Sequence, residues 1–282
     1  MTKHQRFTNS DQFFACPYCR QVLGLDQNSL RCSNRHTFDI AKQGYVNLAP
    51  QVKQSANYHK SSFENRQSFL EQGYYDHLYQ VLEGKIAELR LQSVLDIGCG
   101  EGFYSRKLAQ KMNLDILAFD ISKDSVLLAA RTDSTKSVKW FVGDLTKLPI
   151  QDKTIDGILD IFSPANYQEF TRVLKEGGTV FKLVPGLNHL KELRHLAQKQ
   201  LRKESYDNRE IVDHFKSYMG QIEEILVSRT LPISQAHAQV LADMTPLFFQ
   251  VDQSQLDLSQ LKEITIEGLL LVGKIETLSS NN

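Results

Sequence analysis

From residue 93 onward, short and almost wholly apolar runs alternate with longer stretches in which apolar residues recur every three or four positions. The first pattern belongs to strands buried on both faces, the second to amphipathic helices. Ser93-Val-Leu-Asp-Ile97, Asp115-Ile-Leu-Ala-Phe-Asp120, Val138-Lys-Trp-Phe-Val142, Ile155–Phe162 and Thr179–Val184 read as strands, the last stopped by Pro185-Gly186. Helices are expected over Gly102–Met112, Lys123–Arg131 and Asn166–Leu174, with Lys-Glu-Gly-Gly after the third. This alternation predicts an α/β fold with a mostly parallel sheet covered on both sides. Upstream, a helix over Phe63–Gln72 ends at Gly73, and a second over Asp76–Leu89 carries Leu78, Val81, Leu82, Ile86 and Leu89 on one face. Downstream come a long charged helical region to about Phe215, a strand over Glu223–Leu231, an amphipathic helix over Gln235–Phe249 and a closing strand over Thr265–Gly273. The final Leu-Ser-Ser-Asn-Asn reads as a frayed tail.

The first fifty residues break this pattern: they are rich in turn formers and metal-type side chains, with little helical periodicity. The polar stretch 51–62 reads as a linker. The expected organisation is a zinc-binding module over 1–50, a linker and leading helices over 51–92, and the main domain over 93–282. Composition, with 41% hydrophobic and 23% charged residues in 282, suits a globular enzyme. No apolar run approaches the ~18 residues of a membrane span, and the polar N-terminus lacks a signal-peptide core, so a soluble, cytoplasmic protein is expected. Net charge is zero, yet Lys3, Arg6, Arg20, Arg31, Arg35, Lys42, Lys53 and Lys60 face only Asp11, Asp26 and Asp39 up to residue 60. Such a basic excess fits RNA contact or a merely solvated surface.

Candidate chemistry concentrates at two places. In Asp96-Ile-Gly98-Cys-Gly100-Glu101-Gly102, glycines at a strand end open a helix. They let the backbone turn tightly and approach a ligand, while the helix N-terminus offers free N–H groups. The spacing is G-x-G-x-G after an acid inside the strand, not the G-x-G-x-x-G of dinucleotide folds. It resembles the first motif of Rossmann-like class I S-adenosylmethionine-dependent methyltransferases, with an NAD enzyme as the rival. Asp120, ending the next strand, is placed to accept ribose hydroxyls. Asp144, after the third, sits where this fold reads the adenine amino group. Each acid alone would equally cap a helix. Cys99 reads as a small residue packed beneath the loop rather than a nucleophile.

The second place is Cys16-Pro-Tyr-Cys19, followed twelve residues later by Cys32-Ser-Asn-Arg-His36. Three thiolates and one imidazole make a closed tetrahedral set suited to structural zinc, with no open position for catalysis. A redox Cys-x-x-Cys is the alternative and leaves Cys32 and His36 unexplained. His59 and His77 read as surface or linker residues.

The zinc pattern runs on into His36-Thr-Phe-Asp-Ile-Ala-Lys-Gln-Gly-Tyr-Val-Asn-Leu-Ala-Pro50. Together with Phe69-Leu-Glu-Gln-Gly-Tyr-Tyr75, the glycine motif, Phe162-Ser-Pro-Ala-Asn-Tyr-Gln-Glu-Phe170 and Val184-Pro-Gly-Leu-Asn-His-Leu190, the sequence resembles the bacterial 23S rRNA guanine-N1 methyltransferases over residues 14–195. The resemblance implies methylation at N1 of a guanine in a 23S rRNA hairpin loop near the peptide exit tunnel. One branch of the family is associated with resistance to tylosin-type macrolides, and members can be homodimers. By position it implies zinc ligation by Cys16, Cys19, Cys32 and His36, cofactor contact by Tyr75, the Gly98–Gly102 loop and His189, and a zinc module that helps hold RNA.

Transfer to guanine N1 requires loss of its proton. Asp160, at the C-terminal end of the fourth strand where crevices of open α/β sheets lie, is the candidate acceptor. Phe162 and Tyr167 are candidates to stack on an extruded base, and each is equally an ordinary core aromatic. Lys85, Lys191, Arg194 and Lys203 face RNA or solvent. Two other readings stay open: a methyltransferase of a small quinone-type or metabolite substrate, which would not need the zinc pattern, and a non-catalytic RNA-binding assembly factor, against which the intact loop argues.

Overall fold

A computed structural model describes residues 4–52, 60–201 and 207–275. His59, Lys203 and the C-terminal tail lie outside the described residues, as does most of the expected linker.

Four short strands open the chain: β1 (Gly24–Asp26), β2 (Ser29–Arg31), β3 (Thr37–Asp39) and β4 (Tyr45–Asn47). The first three form a small antiparallel sheet. Helices α1 (Lys60–Leu70) and α2 (Asp76–Glu88) follow, the first closed by Gly73 at φ 85°. Then come β5 (Ser93–Ile97), α3 (Phe103–Lys111), β6 (Asp115–Asp120), α4 (Lys123–Thr132), β7 (Lys139–Val142), β8 (Ile155–Ile161), α5 (Tyr167–Val173) and β9 (Leu174–Pro185). The chain ends with α6 (Lys191–Leu196), α7 (Arg209–Lys216), β10 (Met219–Pro232), α8 (Gln235–Met244) and β11 (Glu263–Ile275).

The large sheet has the order β10-β11-β9-β8-β5-β6-β7-β4. Only β11 runs against the rest, pairing antiparallel with both neighbours. The expected mostly parallel α/β sheet is therefore present. Both faces are covered, which is why the central strands carry near-continuous apolar runs. Helices α2–α4 and α8 pack on one face, while α5, α7 and the N-terminal segment cover the other. The order reverses between β6-β5 and β8, so a crevice opens beyond the C-terminal ends of β5 and β8.

Three sequence expectations change. The charged region after Pro185 is not one helix: α6 and α7 are short and separate, and Leu190 takes φ 54° where the chain turns into α6. The helix from Gln235 stops at Met244, because Pro246 cannot continue it and opens a single 3-10 turn instead. Strand β9 reaches back to Leu174, its pairing with β8 interrupted by a bulge that accommodates the Lys-Glu-Gly-Gly stretch.

The N-terminal segment shares the core of the main domain. Strand β4, within residues 1–50, pairs with β7 as the edge of the large sheet. Phe14 forms a bridge to Ile150 and meets Phe141 edge-on at 5.2 Å. The buried Arg6 guanidinium pairs with buried Asp133 at 3.4 Å and donates to the Gly44 carbonyl. Among the described residues, no helix is long and apolar enough to cross a membrane.

Candidate active site and metal centre

The glycine loop leaves β5 with Gly98, Gly100 and Gly102 all at positive φ, 62°, 56° and 79°. An L-residue strains there, but the three positions differ. A Cβ on Gly100 would meet nothing within 4 Å, so the space above it is open. A Cβ on Gly98 would come within 3.1 Å of Ser163 Cβ. One on Gly102 would fall 2.4 Å from the Trp140 ring and 2.9 Å from Ala129 Cβ. Gly102 thus serves the packing of α3 against the sheet, and Gly100 serves approach from above.

Acids ring this loop. Asp96, buried inside β5, accepts from Ser105 Oγ at 2.6 Å, and burial lifts its carboxyl to about 7. Asp120 accepts from the Gly100 amide at 3.0 Å through Oδ2 and from the Ser122 amide at 2.8 Å through Oδ1. Burial raises its pKa, and those two amides oppose the rise. Asp144 Oδ1 accepts from the Thr146 amide and hydroxyl, both at 2.8 Å, and so closes its own turn. Cys99 is partly buried against the main core cluster, and burial pushes its thiol well up.

Beside the loop lies a cavity of about 660 Å³, bordered by Arg66, Tyr75, Tyr104, Phe162, Lys182 and His189 among others. Tyr75, Phe162 and His189 form one aromatic group with centroids 6.0–6.1 Å apart, Phe162 stacked on the His189 ring. His189 Nδ1 accepts from the Glu267 amide at 3.1 Å, so the neutral ring carries its proton on Nε2, 3.5 Å from Tyr75 Oη. Burial lowers the His189 pKa to about 4 and raises that of Tyr75 to about 12, so both are neutral across the working range. Asp120 and Asp144 stand outside this lining.

Three buried polar atoms at the loop have no protein hydrogen-bond partner: Arg66 Nε, Glu101 Oε2 and Tyr104 Oη. The first two stand 3.4 Å apart as an ion pair. Two donors and a carboxylate without protein hydrogen bonds, beside the open space over Gly100, suit the amino-acid end of S-adenosylmethionine, which carries one carboxylate and one ammonium. Arg66 and Tyr104 carried no sequence signal of their own, since neither falls in a motif.

Asp160 lies at the C-terminal end of β8. It is 0% exposed, and its oxygens accept from Lys182 Nζ at 2.7 Å and Ser163 Oγ at 2.7 Å. Burial raises its pKa against the pull of Lys182. It does not border the cavity, whereas Lys182, Ser163 and Phe162 do. Phe162 borders the cavity. Tyr167 does not: it is buried on the other sheet face and stacks on Tyr218 with centroids 4.7 Å apart. His77, expected at the surface, is buried with Nε2 on the Ile266 carbonyl at 2.9 Å. Lys85 pairs with Glu88 and Glu223, Lys191 is exposed, and Arg194 lines the cavity.

At the N-terminus, Cys16, Cys19, Cys32 and His36 converge, all four ligand atoms lying within 4.8 Å of one another. Cys19 Sγ is 3.7 Å from Cys32 Sγ, and His36 Nδ1 is 3.4 Å and 3.5 Å from the thiols of Cys16 and Cys32. Tetrahedral zinc with ordinary bond lengths separates two sulfurs by about 3.8 Å and a sulfur from a nitrogen by about 3.6 Å. The donor set and these spacings therefore fit zinc. Each ligand turn uses an arginine at positive φ, Arg20 at 61° and Arg35 at 65°. Arg20 also donates to the carbonyls of Leu148 and Ile150, fastening the metal turn to the loop after β7.

Known proteins resemble the chain in both parts. A family model described as the N-terminal region of RlmA, a zinc ribbon, matches residues 14–56, and a methyltransferase-domain model matches residues 94–178. A candidate 23S rRNA (guanine-N(1)-)-methyltransferase of Bacillus subtilis, YxjB, is 32% identical over 92% of this chain and 96% of its own length. The 23S rRNA (guanine(748)-N(1))-methyltransferase of Streptomyces fradiae is 34% identical over 66% of this chain and 68% of its own. Among solved structures, a candidate S-adenosyl-L-methionine-dependent methyltransferase of Methanococcus maripaludis superposes with a TM-score of 0.50 at 16% identity, covering 81% of this chain and 99% of that one. That last likeness concerns the fold.

Proposed function

This chain belongs to the bacterial 23S rRNA (guanine-N1-)-methyltransferases, and on that footing we propose how its residues share the work. The enzyme transfers a methyl group from S-adenosylmethionine to N1 of a guanine in 23S rRNA and carries a structural zinc. When bound, the cofactor supplies a methyl group activated on a sulfonium. Arg66 and Tyr104 bind its carboxylate and Glu101 its ammonium. The three buried atoms beside the glycine loop that lack a protein hydrogen bond, two of them an ion pair with each other, are the observation that carries this assignment. Gly100 leaves room for the chain of the cofactor, Asp120 takes the ribose and Asp144 the adenine. Tyr75 and His189 flank the reacting end, held neutral so that no fixed charge competes with the sulfonium. Asp96 acts from below by holding α3 through Ser105.

The acceptor base enters the cavity past Phe162, whose ring offers it an apolar face. Orientation then does most of the work, since a sulfonium methyl needs little further activation. Asp160 takes part at one remove, as the counter-ion of a group that does border the cavity.

Purified protein incubated with methyl-labelled S-adenosylmethionine and 23S rRNA is expected to label one guanine. Primer extension should stop there, because N1 methylation blocks Watson–Crick pairing. No stop despite full cofactor binding would count against the acceptor. Glu101→Gln should weaken cofactor binding about tenfold or more, as loss of a charge-assisted contact does. Unchanged affinity would remove Glu101 from the site.

A further inference from the structure

Register places Lys182 of β9 directly beside Asp160 of β8 in the middle of the sheet. The Lys182 ammonium, with its side chain only 6% exposed, donates to Asp160 Oδ2 at 2.7 Å and to the Ser163 carbonyl at 3.1 Å. An ammonium has three N–H donors and no acceptor. Two are thus engaged, and among the described residues the third has no protein partner. Lys182 also borders the cavity together with Phe162 and His189. A buried ion pair contributes little to stability compared with an apolar pair of the same volume, so its place inside an otherwise apolar strand points to use rather than to packing.

We infer that Lys182 is a catalytic residue that donates its third N–H to O6 of the acceptor guanine, with Asp160 as the positioning residue that fixes the ammonium. This deepens the reading of the cavity as the site of transfer and rests on it. Beside N1, guanine offers an acceptor, O6, where adenine presents an amino donor. A donor-only lysine welcomes the first and repels the second, and so selects guanine over an adenine whose N1 is also nucleophilic.

The same contact lowers the barrier. When the N1–H bond breaks, the proton leaves to water in the open cavity, and the resulting charge is shared by N1 and O6. Lys182 stabilises that charge where it develops. The N1 lone pair then bonds to the methyl carbon as the carbon–sulfur bond breaks. The sulfur keeps the bonding pair and becomes a neutral thioether. Lys182 and Asp160 end in the protonation states in which they began.

The test uses the full chain with zinc bound. Lys182→Met alone strands the Asp160 carboxylate and could fail to fold, so the Lys182→Met, Asp160→Asn double variant, which removes both charges, is measured beside it. Cofactor affinity, thermal stability and single-turnover methylation of a 23S rRNA fragment are followed from pH 6 to pH 10. The double variant should bind S-adenosylmethionine like the wild type yet transfer about 100-fold more slowly near neutral pH, the usual cost of one oxyanion donor. Its rate should keep rising with pH beyond the point where the wild-type rate levels off, because the guanine must now ionise unaided. Lys182→Arg should recover part of the neutral-pH rate. A double variant that transfers at the wild-type rate, or loses the same factor at every pH, overturns the assignment. A wild-type enzyme that leaves the fragment unmethylated overturns instead the reading of the cavity on which it rests.

Discussion

At the scale of single residues, Gly100 and Gly102 share a left-handed backbone and separate on what surrounds it. Gly100→Ala places a methyl group in open space, so its cost is the backbone strain alone, roughly 1–2 kcal/mol. The fold should survive, while cofactor binding suffers because the methyl occupies the space above the loop. Gly102→Ala carries the same strain and also drives a methyl group to 2.4 Å from Trp140. Overpacking adds about 1–3 kcal/mol, and the Trp140 indole is held by its N–H on Asp133 and cannot easily move away. Thermal melts of both variants, with cofactor titrations, distinguish the cases: a larger fall in Tm for Gly102→Ala, and lost affinity with modest destabilisation for Gly100→Ala. Equal losses of Tm would show that strain, not the indole, governs Gly102.

At the scale of elements, the metal module is built into the main domain. Phe7 and Phe14 are fully buried in the same cluster as Phe119, Phe141 and Ile158, and β4 is a strand of the large sheet. Removing zinc therefore loosens a wall of the main core. Chelation should lower the Tm of the whole protein in one cooperative transition, seen alike by circular dichroism and tryptophan fluorescence. Cys32→Ser should do the same while losing stoichiometric zinc. Two separated transitions would mean that the module folds independently. The sequence showed the zinc ligands because four spaced donors are a chemical pattern, and it showed β5 to β9 because strands buried on both faces are apolar throughout. It did not show β4, since three residues, Tyr45-Val-Asn47, carry no period, and their strand exists only because β7 offers an edge. Lys182 was hidden for a related reason. A lysine inside Thr179–Val184 is legible as a buried charge, but its pairing with Asp160 is a fact of strand order that no local pattern contains. Tyr104 follows Gly102 by two residues at the start of α3 but belongs to no motif, and only the packing of α1 brings Arg66 to the glycine loop.

At the scale of the whole molecule, a protein of zero net charge must bind a polyanion through local charge. The basic excess of the first sixty residues shrinks once its members are placed. Arg6 is buried against Asp133, Arg20 holds two carbonyls of the loop after β7, and Arg31 pairs with Asp26. Among the described residues of the metal module, Arg35 and Lys42 remain exposed. Each cation that neutralises an RNA phosphate releases counterions and steepens the fall of affinity with salt, by about 0.7 in log–log slope for single strands and about 0.9 for duplexes. If this module holds the hairpin, an Arg35→Ala, Lys42→Ala variant should fold with an unchanged Tm and bind a 23S rRNA hairpin with a slope shallower by roughly 1.4–1.8. Arg6→Met should behave in the opposite way. It leaves Asp133 buried without its counter-ion, a change that costs about 3–5 kcal/mol, and lowers Tm while leaving the salt slope of the folded fraction intact. Filter binding from 50 to 300 mM salt, beside thermal melts, reads both. An unchanged slope in the double variant would move the RNA contact off the metal module and onto other exposed cations, such as Lys191.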